Sequence, residues 1–161
     1  MIAAYVGLGS NLDNPREKIT SALQELSALP ATRLEGHSAL YASKALGPAG
    51  QPDYINAVAA LQTRLPALQL LEHLLEIEAR HGRIRDGSRW GPRTLDLDLL
   101  LYGDLQTQGE HLTLPHPQLH ERNFVLYPLY EIAPQLVIPA YGTLSELVKL
   151  CPSAGLVRLT N

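Results

Sequence analysis

The residues best suited to chemistry lie together between Gly82 and Leu100. Arg83, Arg85, Asp86, Arg89 and Arg93 fall in a loop punctuated by Gly87 and Gly91, and the strand-like run Leu95-Asp96-Leu97-Asp98-Leu99 follows at once. Planar, permanently charged guanidinium groups suit phosphate oxygens. Alternation with period two puts Asp96 and Asp98 on one strand face and the leucines on the other. Aspartate is depleted in strands, and two carboxylates on one face repel each other; a divalent cation turns that repulsion into chelation. A polyphosphate accompanied by Mg²⁺ would satisfy both halves of the segment. Taken alone, a D-x-D pair is more often a solvated strand face or a salt-bridge partner of neighbouring arginines; the arginine loop and Trp90 in front of it turn the reading toward a metal site. No cysteine or H-x-x-x-H spacing accompanies it, so hard Mg²⁺ is favoured over zinc. Gly82, Gly87 and Gly91 give the loop backbone freedom to close over a ligand, with Trp90 placed to cover a flat ring.

Two familiar phosphate cradles are missing. Gly7-Leu8-Gly9 is not completed as a dinucleotide fingerprint, because the sixth position is Leu12, and there is no Walker A string. Phosphate binding therefore has to rest on side chains and metal, and Gly7 and Gly9 are read as permitting close backbone packing where Asn11 meets the site.

The elements that must position these groups follow from periodicity. Ile2 to Leu8 reads as a strand. Asn14-Pro15 opens a helix whose apolar stripe is Ile19, Ala22, Leu23, Leu26 and Leu29, stopped at Pro30. Thr32 to Ser43 reads as a strand, Lys44 to Asp53 as a loop, and Tyr54 to Leu61 as a central strand. A second helix starts at Pro66 with a broad face of Leu70, Leu71, Leu74, Leu75 and Ile77, and Gly82 ends it. Thr94 to Tyr102 is a strand. Beyond it come proline-rich turns, a helical segment from Arg122 to Ala133 and a short helix from Leu144 to Leu150. The order β-α-β-β-α-β predicts an α+β fold: a ferredoxin-like antiparallel sheet flanked by helices in three α/β/α layers.

Composition narrows the partners. The 161 residues suit one domain, residues 1–161, with 45% hydrophobic and 18% charged residues. A formal net charge of −3 argues against a nucleic-acid or anionic-membrane surface. Arginine nevertheless outnumbers lysine ten to three, and five of the ten lie between Arg80 and Arg93, which marks a local site. The single Cys151 excludes an internal disulfide and reads as a small buried hydrophobe. The first ten residues lack a basic n-region, and no run reaches the roughly 20 apolar residues needed to cross a bilayer. A cytoplasmic monomer is the expectation.

Several strings point further. They are Gly9-Ser10-Asn11-Leu12, Gly47-Pro48, Gln51-Pro52-Asp53-Tyr54-Ile55-Asn56, Gly82-Arg83, Arg89-Trp90-Gly91-Pro92-Arg93-Thr94-Leu95-Asp96-Leu97-Asp98, Pro115-His116-Pro117, His120-Glu121-Arg122 and Phe124-Val125-Leu126. On these the chain resembles 6-hydroxymethyl-7,8-dihydropterin pyrophosphokinase of folate biosynthesis from end to end. The resemblance implies transfer of an intact pyrophosphoryl group from ATP to the pterin hydroxymethyl, releasing AMP. It implies that Asp96 and Asp98 hold two Mg²⁺ ions delivered with ATP, and that Arg83 and Arg93 act on the phosphates as catalytic residues. It implies further that Glu78, Arg85, Leu99, Thr113, His116 and Arg122 bind ATP. Ser43, Leu46, Tyr54, Asn56, Trp90 and Phe124 would form the pterin slot.

Other readings of single residues stand beside these. His116 between two prolines also fits a rigid turn, and Tyr54, Phe124, Leu46 and Leu99 also fit a core. Ser43-Lys44-Ala45 departs from the family's threonine and proline, and His111 stands where arginine is expected near the nucleotide. Two alternatives differ in kind: a ferredoxin-like nucleic-acid-binding module, and a Mg²⁺-dependent phosphohydrolase using the same aspartates.

Overall fold

The computed structural model describes residues 1–11, 14–43, 53–82 and 95–159. The chain begins with β1 (Ile2–Ser10), α1 (Pro15–Ser27), β2 (Thr32–His37) and β3 (Tyr41–Ser43). It continues through β4 (Tyr54–Thr63), α2 (Ala67–Arg80) and β5 (Asp96–Tyr102). β4 runs antiparallel to β1 over the register Ile2↔Thr63 to Ser10↔Ile55, and β2 pairs antiparallel with β4 on its other side. β1 and β2 are therefore parallel strands split by β4, with β5 antiparallel on the far edge of β1. This is the ferredoxin-like arrangement read from the element order.

Both long helices follow their sequence signals. Asn14 takes a left-handed φ of 61°, which asparagine tolerates, and Pro15 supplies the preset φ of a first helical turn. Ile19, Ala22, Leu23 and Leu26 are buried at i, i+3, i+4 and i+7. α2 buries Leu70, Leu74 and Ile77, and Gly82 follows its end at φ 84°. With Ala4, Val6 and Leu8 of β1, Ala57, Ala59 and Leu61 of β4, and Leu97 and Leu99 of β5, these side chains form one core.

The opposite sheet face carries a second core. Val58, Leu100 and Leu101 pack there against Val125, Leu126 and Leu129 of α3 (Asn123–Ile132), joined by Leu144 at the start of α4 (Leu144–Leu150). Leu126 and Leu129 are fully buried, each contributing about 1.5–3 kcal/mol. Three α/β/α layers result. A β-bulge at Leu100 shifts the β1–β5 register between Tyr5 and Val6, so Leu101 joins Leu100 on the α3 face.

Four sequence expectations change. The strand expected over Thr32 to Ser43 is two strands. Ser38 interrupts it: its N–H donates to the Val58 carbonyl (2.9 Å), and its Oγ accepts from the Val58 N–H (3.0 Å) in place of a ladder carbonyl. The region after β5, read as turns, holds a hairpin of β6 (Thr107–Gln108) and β7 (Thr113–Leu114) and another of β8 (Val137–Ile138) and β9 (Gly142–Thr143). Finally β10 (Leu156–Arg158) extends the main sheet by pairing with β3. These strands are too short to show a period. Cys151, read as buried, is half-buried against the α3 core. The expected loop over Lys44–Asp53 lies outside the described residues except for Asp53.

Candidate active site

The α3 face of the sheet divides in two. Tyr5, Val58, Leu100 and Leu101 lie under α3. Further along the same strands come Gly7 and Gly9 of β1, Tyr54 and Asn56 of β4, Tyr41 and Ser43 of β3, and Asp96 and Asp98 of β5, aligned by the period of two. In register, Gly9 stands opposite Asn56 on one side and Asp96 on the other, while Gly7 stands opposite Val58 and Asp98. The amide and the first carboxylate thus sit two strands apart, about 9–10 Å between backbones, with a glycine between them.

That glycine leaves a floor. A Cβ on Gly9 would lie 3.4 Å from Asn56 Oδ1 and 3.9 Å from Tyr54 Cδ1, and one on Gly7 would lie 3.5 Å from the Leu100 side chain. These are ordinary contacts, and neither residue has a positive φ. Among the described residues neither glycine is demanded by a close backbone approach, the reading that the sequence suggested; each leaves the strand surface without a side chain of its own.

Asn56 is buried, and its Nδ2 donates to Ser43 Oγ (2.8 Å) and to the Tyr41 carbonyl (3.4 Å). At the other end, Asp96 and Asp98 are both half-buried. Arg122, just before α3, approaches Asp98 at 4.0 Å, lies 5.5 Å over the Phe124 ring and hydrogen-bonds Gln118 Oε1. Phe124 is half-buried against the α3 core, so its reading as a core residue holds in part.

A cavity of about 380 Å³ runs beside the outer edge of β5, between α2 and the β6–β7 hairpin. Its lining brings together Glu78, Leu99, Thr113, His116 and Asp98, which are 20 or more residues apart in part, together with His111. Leu71 and Leu75, read as part of the broad apolar face of α2, line it; Leu75 is exposed. Glu78 is buried, and its Oε2 accepts from the Leu97 N–H (2.7 Å) on the strand edge. Leu99, two residues on, lines the same cavity. The size fits a nucleoside.

His116 is anchored by its N–H to the Leu100 carbonyl (2.9 Å). Burial pushes its pKa down; Asp98 pulls it up and Arg122 lowers it further. The Gln118 N–H donates to Nδ1 (3.2 Å), which leaves the ring proton of the neutral form on Nε2.

Among the described residues no group of three or more His, Cys, Asp or Glu side chains forms a metal site. The aspartate pair offers oxygen ligands only, and its other coordination positions would fall to water and phosphate oxygens. That donor set fits Mg²⁺. Arg83, Arg85, Trp90, Arg93 and Leu46 lie outside the described residues. Sequence reading missed Gly9 as floor and Leu71 and Leu75 as cavity wall, because helical and strand periodicity do not distinguish a core neighbour from an empty one. The Asn56 amide entered through the family resemblance and not through any local pattern.

Comparison with known proteins identifies the family. Residues 5–134 match the profile of the 7,8-dihydro-6-hydroxymethylpterin-pyrophosphokinase family. A 2-amino-4-hydroxy-6-hydroxymethyldihydropteridine pyrophosphokinase of Haemophilus influenzae is 50% identical over 159 residues, 99% of both chains. The protein of the same name from Pseudomonas aeruginosa is 52% identical over 155 residues, 96% of this chain and 95% of its own. In three dimensions the chain resembles the Plasmodium falciparum HPPK-DHPS structure with a TM-score of 0.69 at 12% identity, over 93% of this chain and 43% of that one. That likeness carries the fold; the membership rests on the profile and on end-to-end identity, and by both the chain belongs to the 7,8-dihydro-6-hydroxymethylpterin-pyrophosphokinase family.

Proposed function

We propose that this chain, as a single pterin pyrophosphokinase domain, transfers pyrophosphate from MgATP to the hydroxymethyl group of 6-hydroxymethyl-7,8-dihydropterin and releases AMP. It serves folate biosynthesis as an ATP-dependent diphosphotransferase. The hydroxymethyl oxygen attacks the β-phosphorus, the bond from that phosphorus to the α,β-bridging oxygen breaks, and the hydroxyl proton is lost. The observation that carries this reading is the register Asn56–Gly9–Asp96. It offers an amide acceptor, a bare floor and a carboxylate in line, beside a nucleoside-sized cavity.

Asn56 Oδ1 accepts from the pterin edge while Tyr54 and Phe124 supply ring walls, and Ser43 holds the Asn56 amide. Glu78, Leu99 and Thr113 line the nucleoside pocket, and His116 donates to the phosphate tail through Nε2–H. Arg122, between Asp98 and Phe124, reaches the phosphates where the two substrates meet. Asp96 and Asp98 would hold two Mg²⁺ ions brought with ATP, which neutralise phosphate charge as it develops. Arg83, Arg85, Arg93, Trp90 and Leu46 keep the roles that the resemblance implies. The working form is a cytoplasmic monomer. No helix among the described residues is long and apolar enough to cross a membrane.

The deciding assay measures AMP formed from ATP with and without the pterin alcohol and Mg²⁺. AMP should appear only when both are present. Pterin-independent release of phosphate would favour a phosphohydrolase and refute the proposal, as would an absence of turnover.

A further inference from the structure

Asn56 is aimed by its neighbours. The Tyr41 carbonyl can only accept, so the atom facing it is the amide nitrogen, and Ser43 Oγ takes the second amide hydrogen. Oδ1 is thereby turned over Gly9, where it faces the trough. Both partners belong to β3, a strand of three residues that has little stability of its own. Its far neighbour β10 is equally short.

One carboxylate ties these pieces together. Glu131, in the last turn of α3, accepts from the Tyr41 hydroxyl at Oε1 (2.6 Å) and from the Ala39 N–H at Oε2 (2.9 Å). Arg158 Nε of β10 also donates to Oε1 (3.3 Å), and the Leu159 N–H donates to the Leu40 carbonyl (2.8 Å). Burial, and then the Glu131 carboxylate, push the Tyr41 hydroxyl up to about 12, so it stays a neutral donor. Burial alone would raise the Glu131 pKa, but the bonds from Tyr41, Ala39 and Arg158 lower it on balance and keep it an acceptor.

We propose that Glu131, Tyr41 and Arg158 form a positioning cluster that fixes β3 so that Asn56 presents its acceptor to the slot. None of the three touches the reacting atoms; they act through Ser43 and the Tyr41 carbonyl. The inference rests on the assignment of Asn56 to the pterin slot. The same helix supplies an internal control. Tyr127, one turn before Glu131, directs its hydroxyl to the Cys151 carbonyl (2.7 Å) and the Val148 carbonyl (3.4 Å), so its hydrogen bonds fasten the C-terminal segment rather than β3.

The test uses the full chain and three readouts: pterin Kd in the presence of a non-hydrolysable MgATP analogue, Kd for that analogue alone, and Tm. Tyr41→Phe and Glu131→Gln should each raise the pterin Kd about tenfold, the equivalent of one hydrogen bond, with nucleotide Kd moving less than about twofold. Tyr127→Phe should lower Tm while leaving both Kd values in place. If Tyr41→Phe and Glu131→Gln leave the pterin Kd unchanged while Asn56→Ala abolishes pterin binding, the positioning role is wrong and the slot assignment stands. Equal weakening of pterin and nucleotide would also overturn it, in favour of a purely structural role. Retained pterin binding in Asn56→Ala would remove the slot assignment and the inference with it. Should Glu131→Gln fail to fold, the milder Tyr41→Phe decides.

Discussion

Gly9→Ala is the sharpest probe of the trough. The added methyl would sit 3.4 Å from Asn56 Oδ1 and 3.9 Å from Tyr54 Cδ1, and no positive φ penalises alanine there. The unliganded fold should therefore accept it, with stability unchanged or raised by about 0.4–1 kcal/mol through a less flexible unfolded chain. A ring resting on the strand would be lifted by roughly one carbon–carbon bond, about 1.5 Å. A hydrogen bond of about 2.9 Å displaced sideways by that much stretches to about 3.3 Å and bends off line, which forfeits most of its strength. Losing it costs about 1–1.5 kcal/mol, or roughly tenfold in pterin Kd. The hydroxymethyl group moves as well, and misplacement by about 1 Å can cost 100-fold in kcat. The assay pairs pterin Kd and kcat with Tm. Gly36→Ala serves as control, because a Cβ there meets nothing within 4 Å. If Gly9→Ala binds and turns over pterin normally, the floor reading is refuted. A large fall in Tm would show instead that the glycine is needed for packing.

Two further outcomes follow from the charges. Asp98→Asn should reduce Mg²⁺-dependent AMP formation on the order of 10²–10³-fold, the scale of losing one preorganised electrostatic partner. Its fold should stay nearly intact, since the change relieves repulsion with Asp96; unfolding of this variant by Tm would point to a structural role beside Arg122. On the acid side, burial alone would raise the Glu25 pKa, but hydrogen bonds from His81 (2.6 Å) and Arg80 (3.0 Å) lower it on balance. A depressed carboxylate contributes stability above its unfolded value and loses it as pH falls through the folded one. Tm measured below about pH 4.5 should therefore drop more steeply in the wild type than in Glu25→Gln.

Much of this was legible in one dimension because it is periodic. Alternation through Leu95–Leu99 placed both aspartates on one face and the leucines in the core, and the structure keeps that division. Spacings of three and four marked the buried stripe of α1, and Pro15 and Gly82 marked helix ends by their backbone limits. Local rules failed where the partner was distant. Leu71 and Leu75 carry the same helical signal as Leu74, but only the position of the β6–β7 hairpin decides that they border a cavity. Gly9 has no signature of its own, because what matters is the space above it between β4 and β5. Glu131 looks like any helix-end carboxylate until a chain separation of 90 residues is closed onto Tyr41. The sequence by itself determined the elements, their buried faces and the identity of the chemical groups, since these depend on neighbours a few residues away. Tertiary structure alone decided which groups meet across the sheet, since pairing register and packing join residues that no local period connects.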